Sequence, residues 1–409
     1  MATNKAIVIG GGIAGCSTAY ALAQRGLLVT LLERNATIAS EASGNPLAML
    51  YPRLSGNDAS SKFALTAFKY SLALYQSLGL TADIFQSCGM LQLGFNSREQ
   101  KRIQQVAQQY AAVTGIALVD AQQASAIAHL QLKHSALHFA EAGWVQPQQL
   151  CQRLTQHKNI HINTHTQVDT VIKTANGFEV HISGALLASD LVVIANAGSA
   201  GQLVPDMRFN TQSVRGQVSL LSASKNTPSI NSIICTDGYF SPAAYQGMHC
   251  LGASFAKANL SETQPAELTV ELADHLQNLQ KLQQISNSLH DELKNNLVGG
   301  RASVRCTAAD YWPLAGQLLD SRALLAKPPR PSADVNTLPW VEGLYMNIAH
   351  GSKGFTTAPL CAEIIACMAT QNKPPVDAEI AGLLNPNRFQ LKQMGLKRLA
   401  KMVRITHER

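Results

Sequence analysis

Paired cysteines, long apolar runs and low-complexity segments are all missing from this sequence, and charged residues are few. The eight cysteines are scattered without a C-x-x-C pair, which favours reduced thiols in a cytoplasmic protein over a disulfide framework. No apolar run reaches the roughly 20 residues that cross a bilayer, so we expect no membrane partner. The first strand-like segment starts at Lys5, which leaves no room for a secretory signal. With 46% apolar and 14% charged residues, the composition excludes a disordered chain.

The length and the net charge set broad limits on domain number and partners. A chain of 409 residues predicts two or three domains. The formal charge of +7 fits a polyanionic partner such as nucleic acid, and an ordinary basic surface explains it equally well. The charge alone therefore identifies no partner.

Metal-binding and nucleophilic motifs are also missing. His157, His161 and His165 recur every four residues, but the sequence around His161 alternates as in a strand. Strand geometry places residues i and i+4 about 13 Å apart, which one ion cannot bridge. We therefore expect surface histidines and no metal site. No convincing Ser-His-Asp or Cys-His set is present either.

A glycine turn near the start of the chain is the strongest signal that is present. An apolar strand over 6–9 leads into Gly10, Gly12 and Gly15, which follow the G-x-G-x-x-G pattern, and a helix over 13–25 comes next. Glycines at these positions allow a tight turn, a close approach of backbone N–H groups to a pyrophosphate, and close packing of helix on strand. The helix directs its positive N-terminal end at the phosphates. The pattern predicts a bound dinucleotide.

The segment after this helix bears on which dinucleotide binds. A second strand over 29–32 ends in Glu33, whose carboxylate can accept hydrogen bonds from ribose hydroxyls. Arg34 could tolerate a ribose 2′-phosphate, but Glu33 would repel one, which disfavours NADP. Small residues then dominate 39–44, as in a surface loop or in a loop that wraps a flat ligand. The lack of bulky side chains favours the second alternative.

Two later segments again combine a strand with small residues. The strand ending at Ile194 runs into Ala197 and Gly198, which suits a second backbone approach to a cofactor. A last buried strand over 343–347 precedes a glycine turn, 351–355, that opens a helix. This helix N-terminus is a second place for negative charge.

Periodicity predicts the other elements. They are a strand over 138–145, a meander of strands over 160–166, 168–172, 178–182 and 191–194, a strand-rich region over 214–255 with a turn at Arg215-Gly216-Gln217, and one or two helices over 267–293. The tail, 385–409, carries Arg388 and five further cations among spaced leucines and methionines. It is either a solvated amphipathic helix packed on the body or a phosphate-binding basic face.

The order of these segments resembles that of FAD-dependent amine oxidases of the D-amino acid oxidase and glycine oxidase superfamily. Three stretches resemble the oxidoreductase domain of the bifunctional tRNA 5-methylaminomethyl-2-thiouridine biosynthesis family more closely. They are ASGN at 42–45 with LYP at 50–52, residues 300–305 with Asp310 and Pro313, and residues 350–363 followed by LNPNR at 384–388. In that family a methyltransferase domain comes first. This chain starts at the FAD motif, so we expect no methylation by it and consider a separate methyltransferase a candidate partner.

The resemblance implies a reaction on tRNA. The substrate would be 5-carboxymethylaminomethyl-(2-thio)uridine at the wobble position of the anticodon. Oxidation of its glycine-like C–N bond by FAD, followed by hydrolysis of the imine, would release glyoxylate and leave a 5-aminomethyl group. Molecular oxygen is the expected electron acceptor.

The resemblance also implies roles for individual residues. Arg305, and second to it Arg301, would bind the substrate carboxylate, although both could be structural ion-pair partners. Lys353 would lie by the flavin or is a solvated loop lysine. The residues expected to bind FAD are Gly10, Gly12, Ile13, Ala14, Gly15, Glu33, Arg34, Ala42, Ser43, Gly44, Asn45, Val168, Ala197, Gly198, Gly351, Ser352, Lys353, Gly354 and Phe355.

We therefore expect an α/β fold in which a Rossmann-type FAD domain is interrupted by a smaller substrate domain with a mixed or antiparallel sheet, as in D-amino acid oxidase. The FAD domain would comprise 1–84, 138–213 and 299–373, the substrate domain 85–137 and 214–298, and a basic tail 374–409. Two other functions stay open. One is a small-molecule amine or amino acid oxidase of the glycine oxidase type, and the other is a tRNA-binding flavoprotein without redox turnover.

Overall fold

The computed structural model describes residues 4–257 and 269–404. The predicted helix start at Glu267 and the last residues of the predicted tail, 405–409, lie outside these ranges. The eight cysteines are free, and seven of them are buried. Within the described ranges, no helix combines the length and the apolar character that a bilayer crossing requires.

Strands and helices alternate along much of the chain. The strands are β1 (Lys5–Ile9), β2 (Leu28–Leu32), β3 (Ala48–Leu50), β4 (Phe85–Gln86), β5 (Met90–Leu93), β6 (Ile116–Val119), β7 (Ala136–Phe139), β8 (Gly143–Val145), β9 (Ile160–Asn163), β10 (Val168–Thr174), β11 (Gly177–Ile182), β12 (Ala185–Ser189), β13 (Leu191–Ile194), β14 (Thr211–Ser222), β15 (Ile233–Cys235), β16 (Tyr239–Phe240), β17 (Met248–Gly252), β18 (Ala256–Lys257), β19 (Leu297–Ala308), β20 (Leu314–Leu319) and β21 (Trp340–Ile348). The α-helices are α1 (Ile13–Ala23), α2 (Ala59–Ser77), α3 (Ser97–Gln109), α4 (Ala121–Ala128), α5 (Pro147–Thr155), α6 (Ala200–Leu203), α7 (Leu272–Ile285), α8 (Asn287–Leu293), α9 (Ser321–Ala326), α10 (Gly354–Ala369), α11 (Ala378–Leu384) and α12 (Arg388–Gln393).

Two compact units divide the chain, and each is assembled from separated stretches of sequence. Unit 1 contains Met1–Gly44, Cys151–Val214 and Arg305–Arg409, and unit 2 contains Asn45–Leu150 and Arg215–Val304. The inserted stretch predicted over 85–137 lies within unit 2, which begins about 40 residues earlier in the chain. The tail predicted as a separate segment belongs to unit 1.

A six-stranded sheet forms the centre of unit 1, in the order β20-β21-β13-β1-β2-β9. All neighbouring strands run parallel except β20, which pairs antiparallel with β21 at the edge. Val8 of β1 lies opposite Leu31 of β2 and Val193 of β13, and all three side chains are buried. Parallel strands covered on both faces read as continuous apolar runs, which is why β1, β2 and β13 were recognisable in the sequence.

The predicted meander over 160–194 is wrong. Its first and last strands, β9 and β13, belong to the parallel sheet, where they pair with β2 and β1. The strands between them form a separate antiparallel sheet, β10-β11-β12. A short apolar run does not show which strand it pairs with. The sequence therefore does not distinguish a strand of the large sheet from a strand of a hairpin.

The tail packs on unit 1 through its apolar residues, but it does not form one long amphipathic helix. α12 ends at Gln393, Gly395 adopts a positive φ of 78°, and a 3-10 turn follows over Leu399–Lys401. Leu391, Leu396 and Leu399 are buried in one cluster with Leu319 and Leu324. The apolar stripe of the tail therefore faces the body of unit 1.

Unit 2 contains a large, mostly antiparallel sheet in the order β18-β14-β17-β16-β15-β5-β7-β6, with β19 also paired to β14, and a small sheet β3-β8-β4. The pairing of β15 with β5 is parallel, so the sheet is mixed, as predicted. The predicted strand over 138–145 is two strands, β7 and β8, that lie in different sheets.

The predicted turn at Arg215-Gly216-Gln217 is wrong, because these residues lie inside β14. The side chain of Arg215 pairs with Asp274 of α7. Gln217 exchanges hydrogen bonds with the backbone of Glu271, donating to its carbonyl and accepting from its N–H at 2.8 Å each. Long-range contacts to α7 thus stabilise an extended backbone where local composition favours a turn.

Candidate active site

The glycine turn between β1 and α1 has room only for glycine at two positions. A Cβ added to Gly15 would lie 1.8 Å from the carbonyl oxygen of Gly10, so α1 packs directly on the turn. Gly10 has a φ of 106°, and a Cβ there would lie 2.8 Å from the carbonyl oxygen of Ala195, beyond the end of β13. The turn therefore brings the carboxyl ends of β1 and β13 together with the start of α1.

The N-terminus of α1 is suited to an anion. Gly12 is its N-cap and has no side chain of its own to cap the helix, and the first turn contains no acidic residue. The N–H of Ile13 donates to the Ser43 hydroxyl at 3.0 Å, which places the predicted loop 39–44 at this helix end. A Cβ on Gly354 would lie 3.0 Å from the Ile13 side chain, so α10 starts beside α1. Two helix N-termini, each with a partial positive charge, thus lie side by side.

Glu33 follows β2 and is 7% exposed. One carboxylate oxygen accepts from the N–H of Gly11 at 2.7 Å, and the other accepts from the backbone and side-chain N–H groups of Asn35 at 2.8 and 2.7 Å. These bonds fix the carboxylate at the glycine turn. The Thr166 N–H donates to the Glu33 carbonyl at 2.8 Å. The segment that leads to Val168, the first residue of β10, therefore also lies next to Glu33.

Arg34 forms an ion pair in this structure. Its guanidinium pairs with Glu41 at 2.6 and 2.8 Å. A ribose 2′-phosphate would have to displace Glu41 and lie near a second carboxylate, Glu33. The pair therefore supports the sequence argument against NADP.

Asn196 is a residue that the sequence analysis missed. It follows β13, and its Cα lies 2.9 Å from a Cβ built on Gly10. Its side-chain oxygen is buried and has no hydrogen-bond partner among residues 4–257 and 269–404. The next residue, Ala197, has a φ of 52°, which turns the chain toward Gly198. A buried acceptor at the glycine turn fits a donor group on a ligand, so these residues are compatible with a bound dinucleotide.

A buried polar network holds the second glycine turn against α1. The amide nitrogen of Asn347, at the end of β21, donates to Thr18 Oγ1 at 3.0 Å, which leaves its oxygen to accept from His350 Nε2 at 2.9 Å. His350 Nδ1 then accepts from Thr357 Oγ1 of α10 at 2.9 Å. Ala349 has a φ of 66°, and the network keeps this backbone in place. None of these residues was given a role from the sequence, because the bond that joins the turn to α1, from Asn347 to Thr18, crosses more than 300 residues.

His350 gives the structure a pH dependence. Burial lowers the pKa of His350 to about 3 from its ordinary value of 6.5, so the unfolded chain binds a proton that the folded chain does not. Stability is therefore full above pH 6.5 and falls as the pH drops toward 3, by at most about 1.4 kcal/mol per pH unit. Urea unfolding at about pH 7 and about pH 5 measures this loss. A His350→Gln variant keeps a neutral donor and should lose less stability between the two pH values; an equal loss would contradict the assignment.

The two candidate arginines lie in different units. Arg305 of β19 is 7% exposed. Thr307 lies two residues further along β19 and therefore on the same face of the strand. The Thr307 hydroxyl lies 3.6 Å from a Cβ built on Gly351. Arg305 therefore lies on the strand face that borders the second glycine turn, with Lys353 in that turn. Arg301 is in unit 2, where it donates to the Asn45 side chain at 3.0 Å. The structure thus associates Arg305 with the second glycine turn of unit 1.

Arg388 is buried. The sequence analysis grouped it with the other cations of the tail, but it does not belong to a basic surface. It is 2% exposed and donates to both carboxylate oxygens of Asp310 at 2.6 and 2.9 Å. It also donates to the carbonyls of Trp312 and Pro313 at 2.8 and 3.1 Å. Burial alone would raise the pKa of Asp310, but the hydrogen bonds and charge of Arg388 hold it below its usual value. The LNPNR segment, 384–388, therefore contacts residues 310–313, which follow β19.

Within residues 4–257 and 269–404, no group of three or more histidine, cysteine or acidic side chains could hold an ion. His161 lies on β9 opposite Thr30 of β2.

The family model described as FAD dependent oxidoreductase matches residues 5–368, which include both glycine turns, Glu33 and Arg305. The chain belongs to the FAD-dependent oxidoreductase family. The fold predicted from the sequence is confirmed by this match and by the mixed sheets of the two units.

Two curated relatives of this oxidoreductase are named tRNA 5-methylaminomethyl-2-thiouridine biosynthesis bifunctional protein MnmC. The protein of Methylobacillus flagellatus is 43% identical over 406 residues, which cover 98% of this chain and 61% of the relative. The protein of Pseudomonas syringae pv. syringae is 37% identical, over 95% of this chain and 59% of the relative. The oxidoreductase thus spans about 60% of the length of these relatives.

Solved structures show the same fold at low sequence identity. Glycine oxidase from Geobacillus kaustophilus superposes with a TM-score of 0.74 at 18% identity, covering 92% of this chain and 97% of that one. L-proline dehydrogenase from P. horikoshii gives a TM-score of 0.74 at 18% identity and covers 95% and 98% of the two chains. At such identity the likeness concerns the fold of the oxidoreductase alone.

Proposed function

We propose that this chain is a flavoenzyme that removes the carboxymethyl group from 5-carboxymethylaminomethyl-(2-thio)uridine at the tRNA wobble position. The products would be 5-aminomethyl-(2-thio)uridine and glyoxylate. The observation that carries the proposal is the 43% identity, over 98% of this chain, to a relative named for this tRNA modification. That relative is named bifunctional, and the family match assigns this part to oxidoreductase chemistry.

Residues of unit 1 would hold FAD. Gly10, Gly12 and the N-terminus of α1 would face its pyrophosphate, and Glu33 would accept hydrogen bonds from its ribose. The N-terminus of α10 and Lys353 would stabilise negative charge on the flavin ring. When bound, FAD supplies the two-electron oxidant, and molecular oxygen is the proposed final acceptor.

Arg305 would fix the orientation of the substrate. A guanidinium presents paired donors that match a carboxylate, so it can hold the carboxymethyl group in one position and expose its methylene carbon. The substrate carbon loses a hydride, and its nitrogen loses a proton. Water then adds to the resulting C=N bond, which breaks to release glyoxylate and the amine. Oxidation of a neutral amine depends on alignment more than on a strong base, which agrees with the missing nucleophile motifs.

Replacing Arg305 should impair turnover strongly. The loss of a buried charge-assisted pair costs roughly 3 kcal/mol, so an Arg305→Ala variant should show about a 100-fold lower kcat/KM with tRNA carrying the carboxymethylaminomethyl group. The measurement is anaerobic bleaching of the flavin absorbance after mixing with this tRNA. Arg301→Ala is the matched control and should change the rate far less.

The same experiment tests the proposed function itself. Bleaching by the modified tRNA, but not by unmodified tRNA or free glycine, is the expected result. Bleaching by free amino acids alone would favour a small-molecule oxidase instead. An FAD-loaded protein that the modified tRNA never bleaches would indicate a tRNA-binding flavoprotein without redox turnover, and a protein that takes up no FAD would contradict the cofactor assignment.

A further inference from the structure

Two segments of unit 1 are rich in positive charge. Residues 321–333 and 394–403 together contain six cations, no aspartate or glutamate, and no aromatic residue. Arg322 of this set pairs with Asp206. The other five side chains are exposed, and none of them forms a salt bridge within residues 4–257 and 269–404. They are Lys327, Arg330, Lys397, Arg398 and Lys401.

The two segments pack against each other. Leu324 of α9 is buried in the same apolar cluster as Leu396 and Leu399 of the tail. The tail cations alternate with these buried leucines, so packing holds the backbone and leaves the charged side chains in solvent. The positive charges of 321–333 and 394–403 therefore come from adjacent parts of the folded chain.

Arg398 joins the two segments directly. Its side chain donates to the carbonyls of Pro331, at 3.0 Å, and Ala333. The Ala333 N–H donates to the Arg330 carbonyl at 2.9 Å, which closes a turn over 330–333. The guanidinium of Arg398 thus lies on the turn that begins at Arg330.

The remaining three cations flank this contact. Arg398 precedes the 3-10 turn Leu399–Lys401, and the Lys401 N–H donates to its carbonyl at 3.1 Å. Residues three apart in such a turn project from the same side, which places Lys401 beside Arg398, and Lys397 is the residue before it. Lys327 precedes Arg330 by three residues, a span of at most about 10 Å.

The contacts of Arg398 leave its charge available. Carbonyl oxygens and the Met402 sulfur, which accepts at 3.3 Å, hold the guanidinium without neutralising it. They use three of its five N–H groups, so one N–H on each terminal nitrogen remains for a phosphate oxygen. Asp334, which follows the first segment, accepts from the Asn336 N–H at 3.0 Å as the cap of the next turn.

We propose that the five cations Lys327, Arg330, Lys397, Arg398 and Lys401, here called the Arg398 surface, bind phosphates of the RNA substrate. This inference rests on the proposed function, which makes tRNA the substrate. Phosphate contacts position an RNA without reading its bases, which agrees with the missing aromatic residues in both segments. The charges lie on backbone that is already held in place, so little ordering is required on binding.

Other partners fit the Arg398 surface less well. A membrane-binding face needs several apolar side chains that insert, whereas Leu325 is the one large hydrophobic residue strongly exposed within residues 321–333 and 394–403. The core of a protein–protein interface is enriched in aromatic residues and depleted in lysine, which is the opposite of this composition.

Binding of a fluorescein-labelled, unmodified tRNA transcript to the FAD-loaded protein, measured by anisotropy at several salt concentrations, tests the Arg398 surface. The charge-removal variant carries Lys327→Gln, Arg330→Gln, Lys397→Gln and Lys401→Gln. Each phosphate contact contributes about 0.7–0.9 to the slope of log K against log salt, so this variant should reduce the slope by about three. The replaced side chains are exposed, so its Tm should stay close to that of the unchanged protein.

Two control variants separate phosphate contact from general charge and from altered structure. The first, Lys62→Gln, Lys69→Gln, Lys133→Gln and Lys158→Gln, removes four charges from exposed lysines elsewhere and should leave the slope nearly unchanged. The second exchanges lysine for arginine and arginine for lysine at the four positions of the charge-removal variant, and it should keep the full slope. An equal reduction in either control would overturn the proposal.

Failure of the Arg398 surface differs from failure of the proposed function. If modified tRNA bleaches the flavin but the charge-removal variant keeps the full salt slope, only the Arg398 surface is refuted. If the slope falls as expected but modified tRNA never bleaches the flavin, the RNA-binding surface is supported and the proposed reaction fails. If the unchanged protein binds vesicles of anionic phosphatidylglycerol but no tRNA, both fail.

Discussion

A Gly15→Ala variant is expected to retain little or no FAD. The added methyl group would lie 1.8 Å from the carbonyl oxygen of Gly10, and both the turn and α1 are buried backbone that cannot move aside locally. Either α1 shifts away from β1 or the turn opens, and both changes remove N–H groups from the proposed pyrophosphate position. Overpacking of this kind costs roughly 1–3 kcal/mol or more, which corresponds to an FAD affinity lowered by about fivefold to more than 100-fold.

Flavin absorbance per mole of protein after desalting measures this effect. Gly201→Ala is the matched control, because a Cβ at Gly201 meets no atom within 4 Å. The control should retain FAD like the unchanged protein. A Gly15→Ala protein that remains fully yellow would show that the first glycine turn does not hold the cofactor.

Truncating Arg388 is expected to destabilise unit 1 more than truncating any surface arginine. An Arg388→Leu variant leaves the Asp310 carboxylate and three carbonyl oxygens, those of Trp312, Pro313 and Asn385, without their buried donor. Removing one partner of a buried ion pair lowers the free energy of unfolding by about 3–5 kcal/mol. Because the Asp310 side chain is partly exposed, we expect a loss of about 3 kcal/mol. Urea unfolding measures it as a shift in the midpoint at constant slope.

The exposed pair Arg322–Asp206 provides the comparison. Its two side chains are 84% and 46% exposed, so Arg322→Ala should cost less than about 1 kcal/mol. The double variant Arg388→Leu with Asp310→Leu should recover part of the loss, because it removes the stranded charge as well. Equal destabilisation by Arg388→Leu and Arg322→Ala would contradict the buried role of Arg388.

The parts of the fold predicted correctly are those with a local signal. β1, the glycine turn and α1 follow one another within 19 residues, and each is marked by apolar periodicity or glycine spacing. Glu33 was recognisable because it ends the next strand. The helix predicted over 13–25 starts at the observed residue, Ile13, and its observed end, Ala23, lies two residues earlier than predicted.

Non-local contacts account for what the sequence did not reveal. Arg388 looked like one of several tail cations, and only its partner Asp310, 78 residues earlier, makes it a buried residue. β9 and β13 looked like neighbours in a meander, although each pairs with a strand from the start of the chain. Asn196 and His350 matter through contacts that depend on the folded sheet. Strand partners and buried ion pairs are set by the tertiary structure and leave no mark in a short window of sequence.

The strand order of unit 1 fixes when that unit can fold during synthesis. β13 separates β1 from β21 in the sheet, and β21 is made about 330 residues after β1. At roughly 5–20 residues per second, the ribosome completes β21 between about 15 and 70 s after β1. Once β13 has been made, β1 is its one neighbour in the sheet until β21 follows, and α1 lacks α10 for the same time. The β13 edge that pairs with β21 therefore stays open on the nascent chain until its last third has been made, and an open strand edge favours aggregation.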